Sequence, residues 1–372
     1  MQPANLVERT FKLTDSSNSR NRRDFLTGKS TPAGNLAADR PTPSAPTSGH
    51  TVRLSQRAMA CDFSVIMNAG VRKSRIEDAS HALDLVSELE RQMSVYIEDS
   101  EISRLNARAG SQAVQVEPGL FALLLEAERI SQMTERAFDP TSGPLIALWR
   151  SCRSENRIPS QDEIRTALRS VGIRHVQFNA ANRTIQFDHA DVEVNLGGIG
   201  KGYALDREAE WLNEQELSSF LLHGGHSSLK ACGDHNGAGG WPVGIGNPLF
   251  TSKRLGTVVV TDCAMATSGS NIQFFRHGGK KYGHILDPRT GWPVETMLSV
   301  TVLAPTATLA DALSTAFYVL GTEATIEFCE RRPDIGAILI PTPKGRDLTA
   351  IAIGLAQSKL FLDSDQVSLV LH

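Results

Sequence analysis

Apolar positions recur along the chain in two periods, and each change of period marks an element. From Thr51 onward, Val52–Arg57 and Asp62–Met67 alternate or run apolar, as strands do. Arg75–Met93 instead spaces Ile76, Ala79, Leu83, Val86, Leu89 and Met93 along one face of a 3.6-residue period, which predicts an amphipathic helix. Pro118–Met133 is a second helix, with Pro118 in the first turn, where its missing N–H costs nothing. Gln161–Leu168 is a third, shorter one. Short strands follow around His175–Phe178, Thr184–Phe187 and Asp191–Val194, with a tight turn at Ala181-Asn182. Lys201–Glu214 reads as a helix. Ser219–Leu222, Ser227–Ala231, Trp241–Ile245, Gly256–Thr261 and Leu298–Ala304 read as strands. Thr308–Leu320 is a strong helix, stopped by Gly321. Strands and helices are mixed without regular βαβ alternation. The expected fold class is therefore α+β, mixed sheets with packed helices in two lobes of one domain.

The pattern fails in residues 1–50, which are rich in Ser, Thr, Pro, Asn and Arg. Such a stretch buries too little apolar surface to offset its ordering entropy, so residues 1–50 are expected to be a disordered tail and 51–372 the folded domain. Within the tail, Asn21-Arg22-Arg23-Asp24-Phe25-Leu26 resembles a twin-arginine export core. An export signal needs a following apolar stretch, and here Thr27–Pro32 is polar. The expectation is a cytoplasmic protein, with export through Arg22-Arg23 as the alternative.

Composition narrows function by exclusion. A net charge of −3 leaves no basic footprint for nucleic acid. No apolar run approaches the ~18 residues of a bilayer span. The cysteines Cys61, Cys152, Cys232, Cys263 and Cys329 are odd in number and contain no CxxC, which argues against a disulfide framework or structural zinc.

Candidate chemistry concentrates in two segments. Asn195-Leu-Gly-Gly-Ile-Gly-Lys-Gly-Tyr203 puts four glycines and Lys201 behind the Asp191–Val194 run. Backbone N–H groups there can approach a phosphate, with one mobile positive charge beside them. The spacing matches neither a P-loop nor a dinucleotide fingerprint, and a plain strand-to-helix turn would also explain it. Ala310-Asp-Ala-Leu-Ser-Thr315 places the Asp311 carboxylate and the Thr315 hydroxyl four apart on one helix face, two oxygen ligands for a hard cation. Alternatively, Asp311 complements its own helix dipole and Thr315 back-bonds within the helix. His284 precedes an Asp-Pro turn and is either a base, a phosphate contact or a strand-edge histidine. Ala137-Phe138-Asp139-Pro140-Thr141-Ser142-Gly143-Pro144 reads as a rigid loop that either holds a heteroaromatic ring or merely closes a turn, and Tyr96 follows a helix in a position suited to stacking.

Taken together and in this order, these segments resemble the FAD:protein FMN transferases, also called ApbE-type flavin transferases. The resemblance runs from about Met59 to Gly321. It rests on Met93-Ser-Val-Tyr96 with Ser100–Asn106, Phe138-Asp-Pro-Thr141, Leu196–Tyr203, Ala266-Thr-Ser-Gly269, His284–Gly291 and Ala310–Thr315. It implies an enzyme that binds FAD and Mg²⁺, moves FMN to a Thr or Ser of an acceptor protein through a phosphoester bond, and releases AMP. It implies Asp311 and Thr315 as metal ligands, completed by backbone oxygens near Gly198 and Ser314. Met59, Tyr96, Ala137, Phe138, Asp139, Asn195, Lys201 and Leu286 are the implied cofactor contacts. His284 is assigned to activating the acceptor hydroxyl, with Lys201 and Asp311 beside it in catalysis. Five positions depart from the family pattern: Asn195 where Asp is usual, Ala60-Cys61 for Gly-Thr, Ser270 for Asp, and His226 for Asp or Asn. Two alternatives share the fold, a non-catalytic FAD-binding protein and an FAD pyrophosphatase yielding FMN and AMP.

Overall fold

The computed structural model describes residues 49–250, 253–270, 273–343, 345, 348–356, 359–363 and 367–372. Residues 1–48 of the expected tail, Arg22-Arg23 among them, lie outside the described residues, while Gly49 and His50 are hydrogen-bonded to the folded domain. Strands β1 (Thr51–Ala58) and β2 (Cys61–Asn68) form a hairpin, followed by α1 (Lys73–Met93), α2 (Glu101–Arg108), β3 (Val114–Gln115), α3 (Pro118–Met133), α4 (Gly143–Ser154) and α5 (Gln161–Leu168). A second hairpin, β4 (Val176–Asn179) and β5 (Thr184–Phe187), precedes α6 (Gly200–Glu214). Next come β6 (Phe220–Gly224), β7 (Ser228–Cys232), β8 (Trp241–Gly246), β9 (Arg254–Val260), β10 (Cys263–Gly269), β11 (Phe274–His277), β12 (Lys280–Gly283) and β13 (Met297–Ala304). Helices α7 (Ala307–Leu320) and α8 (Thr322–Glu330) and strands β14 (Gly336–Pro341), β15 (Leu348–Ile353), β16 (Leu360–Leu362) and β17 (Val367–Leu371) complete the α+β fold.

A nine-stranded sheet in the order β1-β2-β6-β7-β10-β13-β14-β15-β17 divides the molecule. Its pairs are antiparallel except β15 with β17. Side-chain alternation then builds two cores. Phe220, Leu222, Ala264, Ala266, Val300 and Val302 face the helices, while Leu221, Met265, Ile338 and Ile340 face the small β16-β9-β8 sheet. Helix α7 is buried almost throughout, which explains its unbroken apolar sequence. Glu208 of α6 is fully buried, neither carboxyl oxygen has a hydrogen-bond partner among the described residues, and burial pushes its pKa well above the ordinary 4.5. A third, smaller cluster joins Leu145 and Trp149 of α4, Ile164 of α5 and the β11–β12 hairpin.

One expected strand is absent among the described residues. Asp191–Val194 joins no ladder; the Asn106 side chain accepts the Val194 N–H and donates to its carbonyl, both at 2.9 Å. The alternation there encodes burial of Val192 and Val194, not pairing. Helix α4 begins inside the segment read as a rigid loop, because Pro144 occupies a first-turn position where it is tolerated. Strand β10 carries the sequence Cys-Ala-Met-Ala-Thr-Ser-Gly, too poor in β-branched residues to announce itself. No helix among the described residues is long and apolar enough to cross a membrane.

Candidate active site

The site grows from the place where α6 meets α7. Gly202 lies so close to α7 that a methyl group there would come within 2.1 Å of the Ala307 carbonyl oxygen. Only glycine permits that approach. The Gly202 N–H, a first-turn donor without an acceptor in its own helix, reaches Asp311 Oδ2 at 3.1 Å. Ser228 of β7 donates to Asp311 Oδ1 at 3.0 Å, and the Lys201 ammonium stands 3.7 Å from Oδ2. Asp311 is 5% exposed and lies beyond the first turn of α7, so the helix dipole it meets belongs to α6 rather than to its own helix.

One turn further along α7, the Ser314 hydroxyl donates to the Asp311 carbonyl at 2.9 Å. That commits its proton, so Ser268 of β10 is the donor in the 2.9 Å contact between the two serines. Ser268 is also 3.3 Å from the Thr315 hydroxyl. Gly198 closes the group: a methyl added to it would sit 3.6 Å from Thr315 Oγ1 and 3.4 Å from the Phe138 ring. Gly198, Lys201, Asp311, Ser314 and Thr315 are therefore brought together, with Phe138 beneath. No cluster of three His, Cys, Asp or Glu suited to a metal exists among the described residues. A cation here would meet one carboxylate, hydroxyls and carbonyls, a hard oxygen set that suits Mg²⁺ and not zinc or copper.

His284 follows β12 directly. Its Nδ1 contacts the Gln273 carbonyl at 3.1 Å, and since a carbonyl only accepts, Nδ1 carries the proton and Nε2 the free lone pair. Surrounding protein desolvates the ring although the residue still touches solvent, and this lowers its pKa below the ordinary 6.5. The Gln273 contact opposes that shift and the Lys201 charge adds to it. A neutral imidazole with Nε2 open is a competent proton acceptor near neutral pH.

The remaining expected contacts fall in differing surroundings. Met59 and Ala60 form the two-residue β1–β2 turn, with φ of 49° and 60°. Tyr96 is 72% exposed, with the Arg150 guanidinium 5.3 Å from its ring centre. Asp139 points inward: its carboxylate accepts from the Thr141 N–H, the Thr141 hydroxyl and the Ile173 N–H at 3.0, 2.6 and 3.1 Å. It thereby fixes the loop that buries Ala137 and Phe138. Asn195 Oδ1 accepts from Gly197 N–H at 2.9 Å, an Asx turn that Asp could make equally well. Leu286 is buried and bridges to Pro293.

Two departures from the family pattern are neighbours: a Cβ on Gly225, beside His226, would lie 3.0 Å from Cys61 Cβ. Burial raises the Cys61 pKa, and the Lys201 charge works against that rise. Ser270 lies under Gly283, the residue before His284. Sequence reasoning missed Ser228 and Ser268 as members of the site. Ser268 stood inside a quoted motif, but its contribution depends on β10 pairing between β7 and β13; nothing local marks Ser228.

Residues 59–339 match the ApbE family. The FAD:protein FMN transferase of Treponema pallidum is 35% identical over 271 residues, covering 69% of this chain and 75% of that protein. The Escherichia coli K12 FAD:protein FMN transferase is 31% identical over 267 residues, covering 68% and 76%. Among solved structures, the ApbE protein of Thermotoga maritima superposes with a TM-score of 0.72 at 28% identity, over 78% of this chain and 94% of that one. The flavin transferase ApbE of Vibrio cholerae gives 0.70 at 28% identity, over 81% and 96%. The chain is a member of the ApbE family.

Proposed function

We propose that this protein transfers FMN from FAD to a Thr or Ser hydroxyl of an acceptor protein, with Mg²⁺, and releases AMP. The observation that carries the reading is the cluster in which Lys201 stands beside Asp311, Ser268 links the Ser314 and Thr315 hydroxyls and Gly198 lies against Thr315, with His284 within electrostatic reach of Lys201. The T. pallidum and E. coli relatives supply the substrate pair by name.

In this reaction the acceptor oxygen bonds to the FMN phosphorus, and the bond from that phosphorus to the bridging oxygen breaks. AMP leaves with the electron pair, and the hydroxyl proton passes to His284 Nε2. In-line transfer of this kind needs alignment and charge neutralisation more than covalent help. Asp311, Thr315 and the backbone oxygens at Gly198 and Ser314 would hold Mg²⁺, which when bound neutralises charge on the pyrophosphate. Lys201 places a second positive charge on the same side. Asn195, Met59, Tyr96, Leu286 and the Ala137–Asp139 loop border the flavin and adenine in this reading, Asp139 by holding the loop rather than by free acceptors. The polar Thr27–Pro32 stretch favours the cytoplasm, and a reporter fused to residues 1–50 tests that by its compartment.

The test of function is incubation of the full chain with FAD and Mg²⁺, with and without a Thr-bearing acceptor protein. AMP with flavin fixed to the acceptor supports transfer. AMP with free FMN replaces it with the pyrophosphatase reading. Bound but unconsumed FAD replaces it with the non-catalytic one.

A further inference from the structure

Helices α6 and α7 cap each other. Gly202, third residue of α6, donates its N–H to Asp311 of α7. The reverse contact lies one turn away. The first two N–H groups of α7, from Ala307 and Thr308, donate to Asp206 of α6 at 2.9 and 2.8 Å, and the Thr308 hydroxyl adds a third bond at 2.6 Å. Each carboxylate thus sits at the N-terminus of the other's helix, where the partial positive charge favours it.

The spacing makes the two contacts copies of one another. Gly202 and Asp206 are four apart on α6, and Ala307 and Asp311 four apart on α7, so each pair shares a helix face. Strand β7 joins both: Ser228 bonds Asp311, and Lys230, two residues on and hence on the same strand face, bonds Asp206 at 3.0 Å and the Pro305 carbonyl at 3.2 Å. The side chains of Lys230 and Asp206 are 16% and 12% exposed, so this pair is little screened.

We infer that Asp206, held by Lys230, is a positioning residue for the cation site. It fixes the axial position and rotation of α7 against α6, so that Asp311 and Thr315 meet Gly198 and Lys201. Its bonds run to Ala307, Thr308 and Lys230, and it acts on the donors only through α7. Removing it need not unwind the helix, because Thr306 separately caps the Leu309 N–H at 3.2 Å. The inference rests on the Mg²⁺ reading proposed above.

Direct Mn²⁺ binding, followed by electron paramagnetic resonance on the full chain, tests it apart from turnover. Asp206→Ala is expected to weaken Mn²⁺ at least tenfold, and Asp206→Asn, which keeps an acceptor of the same length, to recover part of that loss. In the transfer assay, Asp206→Ala should raise the Mg²⁺ requirement while kcat returns at saturating Mg²⁺. A folded Asp206→Ala protein with parental Mn²⁺ affinity overturns the inference, as does a kcat loss that saturating Mg²⁺ does not restore. If Asp206→Ala does not fold, Lys230→Met, which leaves all three bonds to α7, is expected to weaken Mn²⁺ about threefold, and unchanged affinity overturns the inference. A parent protein that binds no Mn²⁺ overturns the cation reading itself, a failure visible before any variant is made.

Discussion

The two sides of the site are built differently. On the α6–α7 side the groups at the site are each partnered from a distant segment: Asp311 from α6 and β7, Ser314 from β10, Asp206 from α7 and β7. On the other side, His284 makes one side-chain hydrogen bond among the described residues, to a carbonyl eleven residues away, and Tyr96 is largely in solvent. The first side is held by a buried network, in which a lost partner leaves a desolvated orphan. The second rests on a two-stranded hairpin packed against α4 and α5, a small satellite core. Groups that must neutralise a fixed charge gain from rigidity. A group that must meet an incoming protein hydroxyl gains from access.

That contrast can be broken by substitution. The largest effect is expected from Asp311→Asn, which keeps the shape and an acceptor for Gly202 but removes the charge. Mg²⁺-dependent transfer should fall by about 10²–10³-fold. Parental transfer in this variant, measured as flavin fixed per minute, would end the cation assignment.

His284→Ala should lower transfer by about 10²-fold. Because the side chain has a single weak partner among the described residues, stability should move by no more than about 0.5 kcal/mol and Mn²⁺ binding not at all. Asp311 and His284 thus separate by binding, not by rate. The pH profile sharpens the point. His284 has its pKa lowered, so it is neutral at pH 7 and loses its free Nε2 only when pH drops through that lowered value. The acidic limb of kcat/KM should therefore lie below 6.5 and vanish in His284→Ala. A limb above 6.5 would contradict the burial argument.

Gly202→Ala attacks the rigid side without touching a charge. Its methyl meets the backbone of Ala307, which cannot step aside as a side-chain tip could. Overpacking of this kind costs about 1–3 kcal/mol, readable as a lower denaturation midpoint, with weaker Mn²⁺ binding alongside. The smallest effect concerns Ala60, whose φ of 60° is left-handed. Ala60→Gly should stabilise by about 1 kcal/mol, and no rise in midpoint would show that the turn is not strained.

Helices with an apolar stripe were legible because burial of one face writes itself into the sequence: Arg75–Met93, Pro118–Met133 and Thr308–Leu320 all form close to the expected bounds. Asp191–Val194 misled for a related reason. Inward Val192 and Val194 look alike whether the backbone pairs with a strand or with Asn106. The candidate site was legible where its groups lie within one segment, as in Asp311 and Thr315. Ser228, Ser268 and Asp206 come from β7, β10 and α6, and each is tied to α7 by a partner 46 to 102 residues away, as in the Ser268–Ser314 and Asp206–Thr308 bonds. Small polar residues at such distances leave no periodic trace.

The mutual capping of α6 and α7 also has a temporal meaning. Gly202 and Asp311 are separated by 109 residues, and the strands β6, β7, β10 and β13 that bring them together all lie between. Contacts of such long range form only after the intervening loop has been closed, at an entropic cost that local contacts avoid. During synthesis α6 emerges with its first-turn donors open, and its carboxylate partner does not yet exist. The proposed site is thus among the last parts of the chain to be completed, and a nascent chain that stops before α7 has the glycine loop but lacks Asp311, its partner.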